Sequence, residues 1–145
     1  MATIAPTTAL IRPRNQWSEG AALAALGGRA LLAPIFLLSG IGKISDVTMY
    51  LGYIKAFGLP FPAVALAGAV ALEMLGGLAL LLGYRTRLIG TMLALFSIAT
   101  ALIFHEDLGN SDQFLHFWKN LAMAGGLLQL AAFGGGKLSI DGRGR

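Results

Sequence analysis

The chain has 145 residues, 56% of them hydrophobic and 12% charged, with a mean hydropathy of +0.71, whereas a soluble domain is about 25% charged. That composition excludes an ordinary soluble domain and points to the membrane. The absence of cysteine excludes disulfides, CxxC redox chemistry, iron–sulfur ligation and thiolate nucleophiles, so any redox role has to use a borrowed cofactor.

Residues 1–26 read as a polar N-terminal tail. Arg12, Arg14 and Glu19 precede the first apolar run, which starts too late and lasts too long for a signal peptide. Four apolar stretches then follow, at 27–44, 63–82, 88–104 and 121–133 with its flanks. Each is near the length of about 20 helical residues that a hydrocarbon core of about 30 Å demands. Lipid offers no partner to backbone N–H and C=O groups, and the alternation of a barrel strand is missing, so helices are expected. The expected fold is all-α: a polytopic membrane four-helix bundle over 27–136, closed by a short basic tail at 137–145.

In chain order, the first helix runs through "RALLAPIFLLSGIGKI" with Pro34 inside it, where neighbouring helices can accommodate the lost hydrogen bond. "SDVTMYLGYIKAFGLPFP" is rich in aromatic and turn residues and reads as an interfacial segment. The second apolar helix ends at Gly83, a plausible C-cap, and "YRTR" makes a tight hairpin into the third. The third emerges at "FHEDLGNSDQFLHFW", and the last begins near Trp118 and stops at "GGGKLSIDGRGR".

If these helices alternate, Arg12, Arg14, Arg29, Arg85, Arg87, Lys137, Arg143 and Arg145 share one side, and only Lys43, Lys55 and Lys119 lie on the other. The positive-inside rule then places both termini in the cytoplasm. The basic charge is topological, which argues against nucleic acid as a partner.

Glu73 is the first candidate for chemistry. A charged group at mid-membrane costs about 3 kcal/mol on translocon scales and normally faces a bundle interior. Ala65, Ala69, Glu73 and Gly77 recur every four residues on one helical face, where small residues allow a neighbouring backbone to approach. Glu73 is then either a packing residue, uncharged and hydrogen-bonded across helices, or a proton or ligand site. Gln129 lies at about the same depth, roughly 16 Å in at ~1.5 Å per residue, and is expected to be structural glue that could satisfy Glu73.

A second group gathers at the outer surface: Lys43, then His105, Glu106 and Asp107, then His116, Trp118, Lys119 and Asn120. Singly, lysines snorkel, Trp anchors and acids are solvated; together they offer cations, imidazoles and an amide around a bundle mouth, where ligands bind. The two histidines fall across one loop and form no HxxxH or Glu-x-x-His motif, so metal and haem are not expected. A quinone headgroup asks only for donors and an aromatic slot. Arg85 and Arg87 read as topology determinants that Asp141 and Lys137 could pair with.

Taken in order, "GRALLAPIFLLSGIGKI", "ALEMLGGLALLLGYRTR", "ALIFHED", "FWKNLAMAGGLLQL" and "GGGKLSID" resemble the DoxX family of small bacterial inner-membrane proteins, over about residues 27–142. The resemblance implies a four-helix bundle in the cytoplasmic membrane. It also implies a link to membrane oxidoreductases, since family members look like the membrane subunit of thiosulfate:quinone oxidoreductase and others are linked to oxidative-stress defence. Arg29 belongs to the ordered set of residues that carries the resemblance; carried over by position, the motif residues are Lys43, Glu73, His105 and Asn120 in the membrane, and Arg85, Arg87 and Asp141 at the cytoplasmic rim. The lack of cysteine speaks against autonomous thiosulfate chemistry.

Two functions follow. In the first, the chain is a quinone-interacting subunit in which His105 or Lys43 binds a carbonyl, Glu73 holds or relays a proton, and a partner protein supplies electrons. In the second, it is a non-enzymatic scaffold or assembly protein whose Gly-rich faces pack on other helices. A transporter ranks behind both, because so short a chain would have to oligomerise to form a pathway.

Overall fold

The computed structural model describes residues 18–143. The expected tail residues Arg12 and Arg14 at one end and Arg145 at the other lie outside the described residues, as do most of the 1–26 tail and the last two positions of the 137–145 tail. The described residues form five helices: α1 (Glu19–Ser45), α2 (Val47–Ala56), α3 (Pro62–Leu82), α4 (Thr86–Phe104) and α5 (Ser111–Phe133). Among the described residues there is no strand.

Three of these, α1, α3 and α4, are long and apolar enough to cross a membrane. They turn large apolar side chains outward, with Leu31 83%, Leu38 68%, Leu75 69% and Leu95 61% exposed. A soluble monomer rarely exposes so much apolar surface; a lipid solvent accounts for it. The expected fourth span fares differently. α5 has 23 residues but opens on "SDQFLHFWKN", and that polar half keeps it below the hydropathy of the other three. It also begins at Ser111 rather than near Trp118, because Asn110 accepts from the backbone of Asp112 and Gln113 and starts the helix early. α1 likewise begins ahead of the expected Gly27, at Glu19, with Ser18 capping through Ala21 N–H.

The interfacial segment contains a helix of its own, α2. Asp46 both ends α1, its N–H reaching Gly42 C=O, and caps α2 by accepting from Met49 N–H at 2.9 Å. One residue thus folds the chain back on itself.

α1 packs along α3, α4 packs along α5, and lesser contacts join α3 to α4 and α1 to α5. The shared core is Ala33, Phe36, Leu80, Leu93, Ala94, Ala124 and Leu127, all 4% exposed or less. Two glycines set the approach of the helices. A Cβ on Gly77 would lie 3.0 Å from Leu37 of α1, and one on Gly76 would lie 3.1 Å from Leu93 of α4; with hydrogen there instead, α3 sits close to both neighbours.

Candidate functional site

Glu73 is 3% exposed, and its partner comes from α1. Lys43 Nζ lies 2.8 Å from Glu73 Oε1 and donates also to Ser39 Oγ at 2.7 Å, while Ser39 Oγ donates to the same carboxylate oxygen at 3.0 Å. Ser39 and Lys43 are one helical turn apart and so share a face. Gly40 brings that face into place: a Cβ there would meet Met74 Sδ at 2.8 Å and Glu73 Cβ at 3.4 Å. The second carboxylate oxygen, Oε2, is buried with no hydrogen-bond partner among the described residues.

This triad borders a cavity of about 580 Å³ reached by all five helices. Phe36, Ile54, Leu59, Phe96 and Met123 contribute apolar wall, and Ser97 and Thr100 add hydroxyls from α4. From α2, Tyr50 sets its ring 5.3 Å from Lys43 Nζ, a cation–π distance. Tyr53 stacks on Phe104 at 5.5 Å, and Phe57 meets Phe104 edge-on at 5.1 Å, which ties α2 to the end of α4. His105, His116, Lys119 and Asn120 border the same cavity. His105 shares a 2.6 Å hydrogen bond between Nδ1 and Gln113 Oε1; with the amide oxygen accepting, Nδ1 carries the proton and Nε2 stays available. His116 stacks on His105 at 5.1 Å and 19°, and Asn120 donates to His116 C=O at 3.1 Å.

The cavity therefore gathers six of the residues singled out in the sequence: Lys43, Glu73, His105, His116, Lys119 and Asn120. Trp118 does not join them; it is 51% exposed and packs on Phe114 and Phe117. Gln129 is also elsewhere, exposed on α5. The backbone on either side of it, at Leu127 and Ala131, lies against Gly90 of α4, and Gln129 does not line the cavity beside Glu73, so it does not satisfy the carboxylate. Lys43 is no snorkelling lysine either, being bound to Glu73. Sequence reasoning missed Ser39, Ser97, Thr100 and Gln113. For Ser39 the signal was present in its four-residue spacing from Lys43.

The other expected residues meet at the opposite end. Arg29 is 0% exposed, donating from one terminal nitrogen to Leu81 C=O at 2.7 Å and from the other to Leu138 C=O at 2.5 Å. The tail folds back there: Ile140 N–H reaches Leu82 C=O, and Asp141 N–H reaches Gly83 C=O. Asp141 then accepts from Arg85 and Thr86 N–H at 2.8 and 2.7 Å. In effect the tail supplies the N-cap that α4 lacks, a carboxylate at a helix N-terminus. Gly83, at φ +69°, closes α3 in the left-handed region, and a Cβ there would collide with Ser139 and Arg29. Arg87 is exposed on the outer side of this knot.

Among the described residues no group of three or more His, Cys, Asp or Glu could hold a metal ion. The chain's identity comes from the segment that builds the cavity: a family model described as DoxX matches residues 24–106, the stretch that includes Lys43, Glu73 and His105. The chain belongs to the DoxX family. It is similar to "Inner membrane protein YqjF" of Escherichia coli (strain K12), 38% identical over 80% of this chain and 88% of that protein. It is also similar to "Inner membrane protein YphA" of the same organism, 30% identical over 79% of this chain and 86% of that one. No solved structure matches it significantly. With these relatives and three spans, this DoxX protein is a multi-pass protein of the bacterial inner membrane.

Proposed function

We propose that this DoxX protein is the quinone-interacting membrane subunit of an oxidoreductase, with the ring of the quinone in the Lys43–Glu73 cavity. The observation that carries the reading is the unpartnered Glu73 Oε2 beside a cavity of about 580 Å³. A buried acceptor without a donor calls for an explanation, and the volume falls in the ordinary range for small-molecule sites, roughly 300–1,000 Å³. The pairing of Lys43 with Glu73 leaves the triad without net charge, which favours a neutral ligand over an oxyanion such as thiosulfate. Ile35, Ala99 and Ile103 border the cavity and are also exposed on the apolar exterior, so an apolar tail has a route into lipid.

In this reading Lys43 Nζ and His105 orient carbonyl or hydroxyl oxygens, Tyr50, Tyr53 and Phe96 flank the ring, and Glu73 accepts or holds a proton. When bound, a quinone supplies two-electron, two-proton chemistry; electrons come from a partner subunit. Thiosulfate oxidation and oxidative-stress defence are the two settings the family offers. The same reading makes α5 the fourth crossing of a four-helix bundle. Its 23 residues span about 35 Å, and the basic residues of the Arg29–Asp141 end then face the cytoplasm with both termini.

The test is a titration of the nanodisc-embedded protein with a short-tailed quinone, followed by thermal shift. Saturable stabilisation of the wild type that falls at least tenfold in affinity in Glu73→Gln supports the site. Equal stabilisation of both, or of neither, removes it.

A further inference from the structure

The cavity reaches the buried triad and the paired histidines together, and the packing of the described residues changes toward the other end. Below Glu73 the helices close on one another. Leu80, Leu93, Leu127, Ala33 and Ala94 are each 0% exposed, and a Cβ on Gly76 or Gly77 would press on Leu93 at 3.1 Å or on Leu37 at 3.0 Å. Beyond that layer Arg29 is locked onto the carbonyls of Leu81 and Leu138, and the tail lies across Gly83. Water needs a roomy, polar space and two or more partners to reside in a protein, and this layer offers neither.

We infer that Glu73 and Lys43 exchange protons and small polar molecules with the histidine-bearing face of the membrane alone. The charged and titratable groups along that route come from every helix around it: Lys43 from α1, Tyr50 and Tyr53 from α2, Glu73 from α3, His105 at the end of α4, and His116 and Lys119 from α5. The donors and acceptors at successive depths are Asn120 and the histidines, then Thr100 and Ser97, then Ser39 with Lys43 and Glu73. Any proton taken up or given off at the triad is therefore charged to one side of the membrane, whichever ligand occupies the cavity. This deepens the ligand-site reading by giving it a direction, but it rests on the packing and does not depend on a quinone.

A chain without cysteine suits the test. Single-cysteine variants Ala69→Cys and Ser97→Cys place a thiol on the cavity wall, Lys119→Cys marks its mouth and Leu138→Cys marks the opposite end. In the full chain in sealed vesicles of both orientations, labelling by a membrane-impermeant methanethiosulfonate is timed. The cavity thiols are expected to react from the side that labels Lys119→Cys at least tenfold faster than from the side that labels Leu138→Cys. Equal rates from both sides, a faster rate from the Leu138 side, or protection from both sides while a permeant maleimide still reacts would each overturn the inference. Use of two cavity positions on different helices guards against one variant failing to fold. Quinone binding that fails while one-sided labelling holds would remove the ligand reading and leave this one standing.

Discussion

Among the described residues two charged side chains are buried, Arg29 and Glu73, one toward each end, and they are treated in opposite ways. Arg29 is sunk among backbone carbonyls of α3 and the tail, with side chains and glycines pressed around it. Each keeps one buried atom without a hydrogen-bond partner among the described residues, Arg29 Nε and Glu73 Oε2, but Glu73 is held by two side chains of α1 and borders an open space. An ion locked by backbone carbonyls in a filled pocket fastens chain segments together. An ion held by movable side chains beside a cavity can exchange its partner. Burial alone does not separate structure from function; the identity of the partners and the neighbouring void do.

The largest expected effect is at the fastened end. Gly83→Ala forces a Cβ into Ser139 and Arg29 at a positive φ, so folded yield in detergent is expected to collapse. Arg29→Leu, which strips carbonyls of charged donors worth about 1.5–3 kcal/mol each, is expected to lower thermal stability sharply without a pH-dependent component between 5 and 8. A stable Arg29→Leu protein would break the comparison at its first term.

The second effect is a contrast between single and double variants in the triad. Lys43→Met leaves a buried carboxylate unpaired and is expected to cost about 3–5 kcal/mol, whereas Lys43→Met with Glu73→Leu removes both charges and is expected to recover most of that loss. Unfolding of the three proteins measures it. A double variant no more stable than the single one would mean that the pair does not account for Lys43's contribution.

Much of this layout was legible in the residues, and the rest was hidden for definable reasons. Hydropathy and length located α1, α3 and α4, and the Gly83 stop and the "YRTR" hairpin lie where local rules place them. The burial of Glu73 followed from its apolar surroundings. Its partner did not, because register between α1 and α3 is decided by the close contacts at Gly40 and Gly77, which exist only after docking. Gln129 was proposed from depth alone, and depth carries no information about which way a helix turns a side chain. The dual caps at Asp46 and Asn110 were readable in sequence, yet the polar opening of α5 masked a continuous helix. Asp141 acts on α4 through a tail that returns to it, a contact that no local pattern announces.

Smaller effects sharpen the same contrast. Asp141→Asn keeps a side-chain acceptor at the start of α4 and loses its charge, so a loss of about 1 kcal/mol or less is expected by thermal unfolding, with ligand binding intact. Gln129→Leu, exposed on α5 and remote from the triad, is expected to shift stability by no more than about 0.5 kcal/mol; a larger loss would restore it as a structural partner.

The central claim is that the open space beside Glu73 holds a neutral redox ligand while the Arg29 end only fastens the fold. The most direct measurement is the amount of quinone extracted per chain after gentle purification from native membranes into nanodiscs, compared among wild type, Glu73→Gln and Asp141→Asn. The account predicts a near-stoichiometric quinone in wild type and Asp141→Asn and at least a tenfold loss in Glu73→Gln. Quinone at the level of bulk lipid in all three proteins, or retained undiminished in Glu73→Gln, would contradict it.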